Sequence, residues 1–457
     1  MGSGPSGLAS ALAAAKNGAR VILAEDKSKF GGSLLADQVT IGNKTGKEWA
    51  DETIQQLKSM PNVVVKNRSQ VFGYYDHNMM VMFERTKDHI ESPNKYTPRQ
   101  KLWYIRAKEV LVSTGSIERP LIFGNNDRPG ILLASAAKEY IKKYGVLVGK
   151  KPIIFTNNDS AYDTAIEFKK NGVDPLVIDV RKDSESTVVK EAKDLGIAIK
   201  FSHAVANTKG YLRVNSAIVG KLNNDKSGYE SLENIPCDCV CVSGNWTPTV
   251  HLSSQSGNKL KFDEIISAFI PNQSRQNETA VGSAKGSFTL KKSLEEGFNK
   301  GFEASNKLTK KNIKIDPPTS NEKSYGNYEK FWCMPLPENK YYKRCVDFQN
   351  DVYVSDIELA IREGFRSIEH VKRYTTLGMA TDQGKTSNLN GLQLVSNIEN
   401  KIVPEVGHTT FRPPYTSVTI GTIVGREVGK YYRPTRKSPM HSWHEKNNAV
   451  FVDAGLW

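Results

Sequence analysis

Short apolar runs alternate with stretches of helical spacing along most of the chain, and that rhythm is its main organising signal. Residues 8–17, rich in alanine, carry the spacing of a helix, and Arg20-Val21-Ile22-Leu23-Ala24-Glu25 reads as the strand after it. The spacing predicts a further helix over 49–60, a strand at 63–65, hairpin strands within 71–85 and 103–106, and a buried strand from Val110 that ends in Thr114-Gly115. Apolar runs at 152–156 and 175–179 repeat the strand–turn–helix–strand pattern, and 280–286 enters a helix over 288–308. Short apolar strands separated by helices indicate an α/β fold with parallel sheets buried on both faces. The polar, proline-marked stretch 91–100 is a loop. A small helical region covers 356–390.

The chain opens on Gly2-Ser3-Gly4-Pro5-Ser6-Gly7, a G-x-G-x-x-G loop just before the first helix. In such a loop the first glycine permits a tight turn, the second lets a pyrophosphate reach the backbone, and the third lets helix pack on strand. The free N–H groups of the helix N-terminus face the phosphates. Glycine-rich turns without ligands are common, so context decides. Here a strand follows the helix and ends in Glu25, where a carboxylate would grip ribose hydroxyls, and we expect a bound dinucleotide. The turn from Asp26-Lys27 to Gly31-Gly32-Ser33 would close over ribose and pyrophosphate. A strand should also precede the glycines, in the middle of a doubly wound sheet. Met1 alone stands there, so the sequence reads as a piece of a longer protein cut before its central strand.

The second strand–turn–helix unit differs at its turn, Thr156-Asn157-Asn158-Asp159-Ser160-Ala161. Asn158 would put a side chain where backbone must approach phosphate, and Asp159 adds a negative charge, so this unit is expected to be scaffold. Cys237, Cys239 and Cys241 alternate, which would place all three on one face of a strand, and no histidines stand at ligand spacing. Buried thiols are expected rather than a metal site or a redox-active pair. Gly282-Ser283-Ala284 precedes the last long helix, whose N-terminus would point at the far end of the cofactor. The resulting layout is a dinucleotide domain over 1–315, with the degenerate second unit inserted at 151–250. A linker at 316–340, a helical domain at 341–400, and a closing stretch at 401–457 rich in Pro, Tyr and Arg follow.

Charge and composition narrow the partners. The 457 residues carry a net charge of +14, with 38% hydrophobic residues and a mean hydropathy of −0.47. The lysines are spread among acids, and no basic stripe interleaved with aromatics appears, so nucleic acid is not an expected partner. A solvated surface, or one meeting an acidic partner subunit, accounts for the charge. No apolar run approaches the roughly 18 residues of a membrane span. No signal peptide opens the chain, and five unevenly clustered cysteines do not suggest a disulfide framework. A cytoplasmic protein is the simplest reading.

Longer strings resemble one family closely. They include Ser113-Thr114-Gly115-Ser116-Ile117-Glu118-Arg119-Pro120, Val346-Asp347-Phe348-Gln349-Asn350-Asp351-Val352, and Glu363-Gly364-Phe365-Arg366. Gly378-Met379-Ala380-Thr381-Asp382-Gln383-Gly384-Lys385 and Thr410-Phe411-Arg412-Pro413-Pro414-Tyr415-Thr416 complete the set. Across nearly its whole length the chain is similar to the alpha subunit of heterotetrameric sarcosine oxidase. The resemblance implies a two-dinucleotide, FAD/NAD(P)-linked reductase fold with NAD in the first Rossmann site. Its carry-over falls on Gly2, Gly4, Ser6, Gly7, Glu25, Asp26, Lys27, Gly32, Ser33 and Val71, then Ala284 and Phe288. Lys27 stands where a 2′-phosphate would be met, but Glu25 and Asp26 favour NAD over NADP.

The resemblance also implies an assembly with beta, gamma and delta subunits that oxidatively demethylates sarcosine to glycine. Oxygen would be the acceptor, giving H2O2 and formaldehyde or 5,10-methylenetetrahydrofolate. FAD and the amine site would belong to the beta subunit, a covalently held FMN would lie between alpha and beta, and tetrahydrofolate would bind a C-terminal aminomethyltransferase-like domain. Family members carry a ferredoxin-like region before the glycine loop, and here only the opening of the folate domain follows Ser438. Loop 410–416 is expected against the beta subunit near FMN. His408, His441 and His444, in proline- and tyrosine-rich stretches, are not expected to be catalytic.

The helical region also resembles the [2Fe–2S] domain of related amino-acid dehydrogenase subunits. Its four cysteine positions fall on Asp347, Gln349, Asp382 and Ser387, none a thiolate, with Cys345 out of register, so the fold is expected without the cluster. Two alternatives stay open. One is a self-sufficient FAD-dependent NAD(P)H oxidoreductase, or related dehydrogenase subunit, holding flavin in this site. The other is a structural subunit whose nucleotide is a fixture.

Overall fold

The computed structural model describes residues 1–311, 316–321, 325–338, 340–425, 427–452 and 454–455. The domain boundary expected at 315 and the last two residues, Leu456 and Trp457, lie outside them.

Helix α1 (Pro5–Lys16) starts on Gly4, with Pro5 in the first turn, where its missing N–H has no helical partner to lose. Its buried residues are mostly Ala, Ser and Gly, so neighbours pack on it closely from several sides. Strand β1 (Val21–Ala24) runs parallel to β2 (Val63–Lys66). Between them, α2 (Gly46–Ser59) opens on a capping box: the Thr45 hydroxyl accepts from the Glu48 N–H and the Glu48 carboxylate from the Thr45 N–H. Strands β3 (Ser69–Tyr75), β4 (Met79–Arg85) and β5 (Gln100–Arg106) form an antiparallel sheet. Its Val71, Tyr74, Met80 and Met82 bury against Ala24 and against Val110 and Val112 of β6 (Val110–Val112). Met1 and Gly2 join β1 to β6: the Met1 amino group donates to Leu111 O (2.8 Å), Ser113 N–H to Met1 O (2.8 Å), and Gly2 N–H to Ala24 O (2.9 Å).

The second unit is a five-stranded parallel sheet of β7 (Ile131–Leu133), β8 (Pro152–Thr156), β9 (Leu176–Asp179), β10 (Ala198–Phe201) and β11 (Cys239–Ser243), in the order β7-β11-β8-β9-β10. Helices α3 (Ala134–Tyr144) and α4 (Tyr162–Lys170) cover one face, where Cys239 and Cys241 are buried. Cys237 corrects the expectation that the three thiols share a face. Pro236 ends an antiparallel strand of another sheet and β11 begins only at Cys239, so Cys237-Asp238 is a corner. The Asp238 carboxylate is fixed there by the Lys150 and Lys151 N–H groups, and Cys237 packs with Val205, Val240 and Val242 on the opposite face.

Strand β12 (Glu278–Ala280) returns beside β6 and leads through one 3₁₀ turn, Gly282–Lys285, into α5 (Leu290–Thr309). Helices α6 (Val354–Arg362), α7 (Ile368–Thr375) and α8 (Asn388–Glu399) form a module around Ile357, Val371, Leu392 and Val395. Ile122 and Ala268 join that core, fastening the module to the rest. No helix among the described residues is long and apolar enough to cross a membrane.

Candidate dinucleotide-binding site

A cavity of about 600 Å³ lies over the glycine loop, in the range of small-molecule sites. Gly2, Gly4, Ser6, Glu25, Asp26, Lys27, Gly32, Ser33, Val71 and Phe288 all line it. Gly7 and Ala284 do not. Gly7 backs the loop, where an added methyl would run into the Gly2 carbonyl, and Ala284 is buried in the 3₁₀ turn.

The glycines divide by cause. Gly2 has φ +92°, and a methyl there would collide with the Ser113 carbonyl. Gly4 is different: at φ −67° and ψ −174° any residue fits, and an added methyl meets no atom within 4 Å. Nothing in the protein demands glycine at position 4, and its open side belongs to the cavity.

The Glu25 carboxylate accepts from the Ser3 N–H (2.9 Å) and hydroxyl, and from the Lys27 N–H (3.0 Å). Burial, then neighbouring Asp26, raises its pKa above the ordinary value. It therefore fixes the loop, and of a carboxylate's roughly four lone-pair sites one is left for a ribose. Lys27 points its ammonium at Glu139 of α3 (3.6 Å), so the cation expected beside a 2′-phosphate already faces a carboxylate.

The cavity has a further wall that the sequence did not disclose. Thr114 donates its hydroxyl to Thr249 O (2.7 Å), and His251 follows two residues on. The His251 ring is 7% exposed and stacks on Tyr415, with centroids 4.0 Å apart and planes at 16°. Burial, then the Lys385 charge, hold its pKa down to about 3, so it is neutral, and its Nδ1 has no partner. The Lys385 ammonium sits 4.4 Å from the Tyr415 ring centroid. Loop 410–416, expected to face a partner, thus turns Tyr415 into this chain's own cavity.

At the second turn, Asn158 accepts from Ser160 N–H and donates to Ser243. Asp159 pairs with Arg181 (2.6 Å), which pairs with Asp179 (2.7 Å), all buried. The chain's own segment lies across this turn: Gly326 N–H donates to Asp159 (2.5 Å), Glu329 N–H to Asn157 O (2.9 Å), and Arg181 to Asn327 O (3.0 Å). Backbone of residues 326–329 thus satisfies polar groups of this turn.

The four positions aligned with cluster cysteines come together through hydrogen bonds. Asp347 accepts from Gly378 N–H (2.7 Å), Gln349 N–H (3.0 Å) and the Ser387 hydroxyl (3.2 Å), while the Gln349 side chain accepts from Asp382 N–H (2.6 Å). Among the described residues no group of His, Cys, Asp and Glu is placed to hold a metal ion.

Comparison with known proteins bears on this architecture. Residues 341–426 match the sarcosine oxidase A3 domain. The chain is 38% identical over 462 residues to the sarcosine oxidase subunit alpha of Rhizobium meliloti, an alignment covering 100% of this chain and 45% of that protein. It spans about half the length of the sarcosine oxidase alpha subunits it matches. Among solved structures, L-proline dehydrogenase from P. horikoshii is similar over 92% of this chain and 78% of its own, with TM-score 0.68 and 20% identity. Thioredoxin reductase from T. acidophilum is similar over 68% of this chain and 96% of its own, with TM-score 0.51 and 16% identity. The fold is that of the two-dinucleotide oxidoreductases, followed by a helical region.

Proposed function

Because the chain is a homologue of sarcosine oxidase alpha subunits, we propose that it is the NAD-binding alpha subunit of a sarcosine oxidase complex. The observation that carries the dinucleotide reading is Gly4, a residue with no structural need to be glycine whose open side faces the cavity, and the choice of NAD follows the likeness to the alpha subunits. In this reading the backbone of Gly4 and Ser6, at the N-terminus of α1, holds the pyrophosphate. Glu25 and Asp26 take ribose hydroxyls, Val71 and Phe288 supply apolar contact, and Glu139 disfavours a 2′-phosphate beside Lys27. NAD, when bound, supplies a hydride-accepting nicotinamide.

The role of this chain is to bind and orient, not to perform amine chemistry. In the proposed assembly sarcosine and FAD belong to the beta subunit and FMN to the alpha–beta boundary. The gamma and delta subunits complete the complex, oxygen takes the electrons, and tetrahydrofolate takes the one-carbon unit in a folate domain. A cytoplasmic location fits such an assembly.

Calorimetric titration of the full chain with NAD, NADP and FAD tests the assignment. NAD should bind at one site, and NADP about tenfold or more weaker because its extra phosphate meets Glu139 and Asp26. FAD binding more tightly than NAD would favour the self-sufficient flavoprotein instead.

A further inference from the structure

One corner of the cavity differs in charge from the rest. Lys385 is the charge that acts on His251, and Asp382 the charge that acts on Lys385. The Asp382 carboxylate accepts from the Lys385 backbone N–H (3.0 Å), whereas the Lys385 ammonium donates to two carbonyl oxygens, of Asp382 (2.8 Å) and Tyr415 (3.1 Å). An ammonium has three donors, so one is left. Lys385 makes no ion pair among the described residues. Beside it, His251 is buried with an Nδ1 that meets nothing, and a buried polar atom without a partner calls for an explanation such as a ligand that completes it.

The position of this corner matters as much as its charge. Ser113 abuts Gly2, Thr114 bonds Thr249, and His251 stands two residues further on, so one continuous cavity wall runs from the glycine loop to this corner. Lys385 and Tyr415 arrive from the helical module and the stretch after it, within the residues matched to the A3 domain.

We propose that His251, Lys385 and Tyr415 form an anion-binding corner that meets the diphosphate of the bound dinucleotide, making the helical module part of the cofactor site. This rests on the dinucleotide reading of the cavity. The third Lys385 N–H and the His251 Nδ1–H donate to phosphate oxygens, and the Tyr415 ring, in contact with both, holds them in place. The His251 Nδ1 has no protein partner and the Lys385 ammonium bonds only two carbonyls, so a phosphate reaching them displaces no side-chain ion pair.

The test is binding of NAD and of ADP-ribose, which keeps the diphosphate and lacks nicotinamide, to the full chain and to Lys385→Gln and Lys385→Arg. Lys385→Gln should weaken both ligands about tenfold, with a smaller salt dependence than the unsubstituted chain, and Lys385→Arg should restore binding. Lys385→Gln binding both within twofold overturns the proposal and leaves the NAD assignment standing. Loss for NAD alone also overturns it, since the corner would then serve the nicotinamide end. An unsubstituted chain that binds neither ligand removes the dinucleotide reading and the corner together. A measurement without substitution guards against misfolding: NAD and ADP-ribose should each protect Lys385 from a water-soluble acetylating reagent, read by peptide mass spectrometry. Equal acetylation with and without them would overturn the proposal.

Discussion

Replacing Gly4 by alanine should separate folding from binding more cleanly than any other change in the loop. At φ −67° and ψ −174° alanine adopts the Gly4 backbone without strain, and its methyl meets no protein atom within 4 Å. Losing glycine at an N-cap costs a few tenths to about 1 kcal/mol. The stiffer unfolded chain returns about 0.4–1 kcal/mol, so the net stability change is near zero. Binding behaves otherwise. A phosphate oxygen must come within roughly 2.7–2.9 Å of backbone N–H groups to make charge-assisted bonds, and a methyl on Gly4 occupies that space. Losing two such bonds at about 1.5–3 kcal/mol each weakens NAD by about a hundredfold or more. Gly7→Ala gives the contrast, because its methyl would lie well inside 3.0 Å of the Gly2 carbonyl and the loop must move. Overpacking of that kind costs about 1–3 kcal/mol before any ligand is considered. Denaturant unfolding and NAD titration of the two variants side by side read both quantities. A Gly4→Ala chain that binds NAD within threefold of the unsubstituted chain would refute the reasoning, as would one destabilised as much as Gly7→Ala.

Other consequences follow from buried polar groups. His251 titrates at about 3 rather than the ordinary 6.5. The unfolded chain takes up its proton below 6.5 and the folded chain does not, so stability falls as pH drops through that window and levels off near 3. Between pH 7.5 and 5 this residue costs about 2 kcal/mol, which denaturant unfolding at the two pH values should show and His251→Gln should remove. Arg181→Met would leave Asp159 and Asp179 buried without their cation, costing about 3–5 kcal/mol by the same method, and limited proteolysis should then cut near 326–331. Asp347→Ala deprives the Gly378 and Gln349 N–H groups of their acceptor, at about 1–3 kcal/mol each, lowering the thermal midpoint. Iron and sulfide assays on anaerobically prepared protein should find neither in the helical module.

Much of the site was legible because its signals are local. The glycine loop, the strand ending in Glu25 and the Gly31-Gly32-Ser33 turn are contiguous patterns tied to backbone geometry, and they line the cavity together. Gly7 and Ala284 belong to the same motifs but act from behind the wall, a distinction of packing that spacing does not carry. Cys237 defeated the alternation argument because period-two reasoning holds only within a strand, and the strand starts two residues later. His251, Lys385 and Tyr415 were illegible for a different reason. They meet across long stretches of sequence, and no periodic pattern marks a lysine or tyrosine whose partner lies in another module. The same holds for the segment over the second turn, whose polar composition says nothing of where its N–H groups go.

Competition between two dinucleotides decides whether this cavity takes NAD. The purified full chain is incubated with equal amounts of NAD and FAD, freed of unbound ligand, and denatured, and the released nucleotides are separated by chromatography. NAD should be released in stoichiometric amount and FAD not at all. Stoichiometric FAD with no NAD would contradict the NAD assignment.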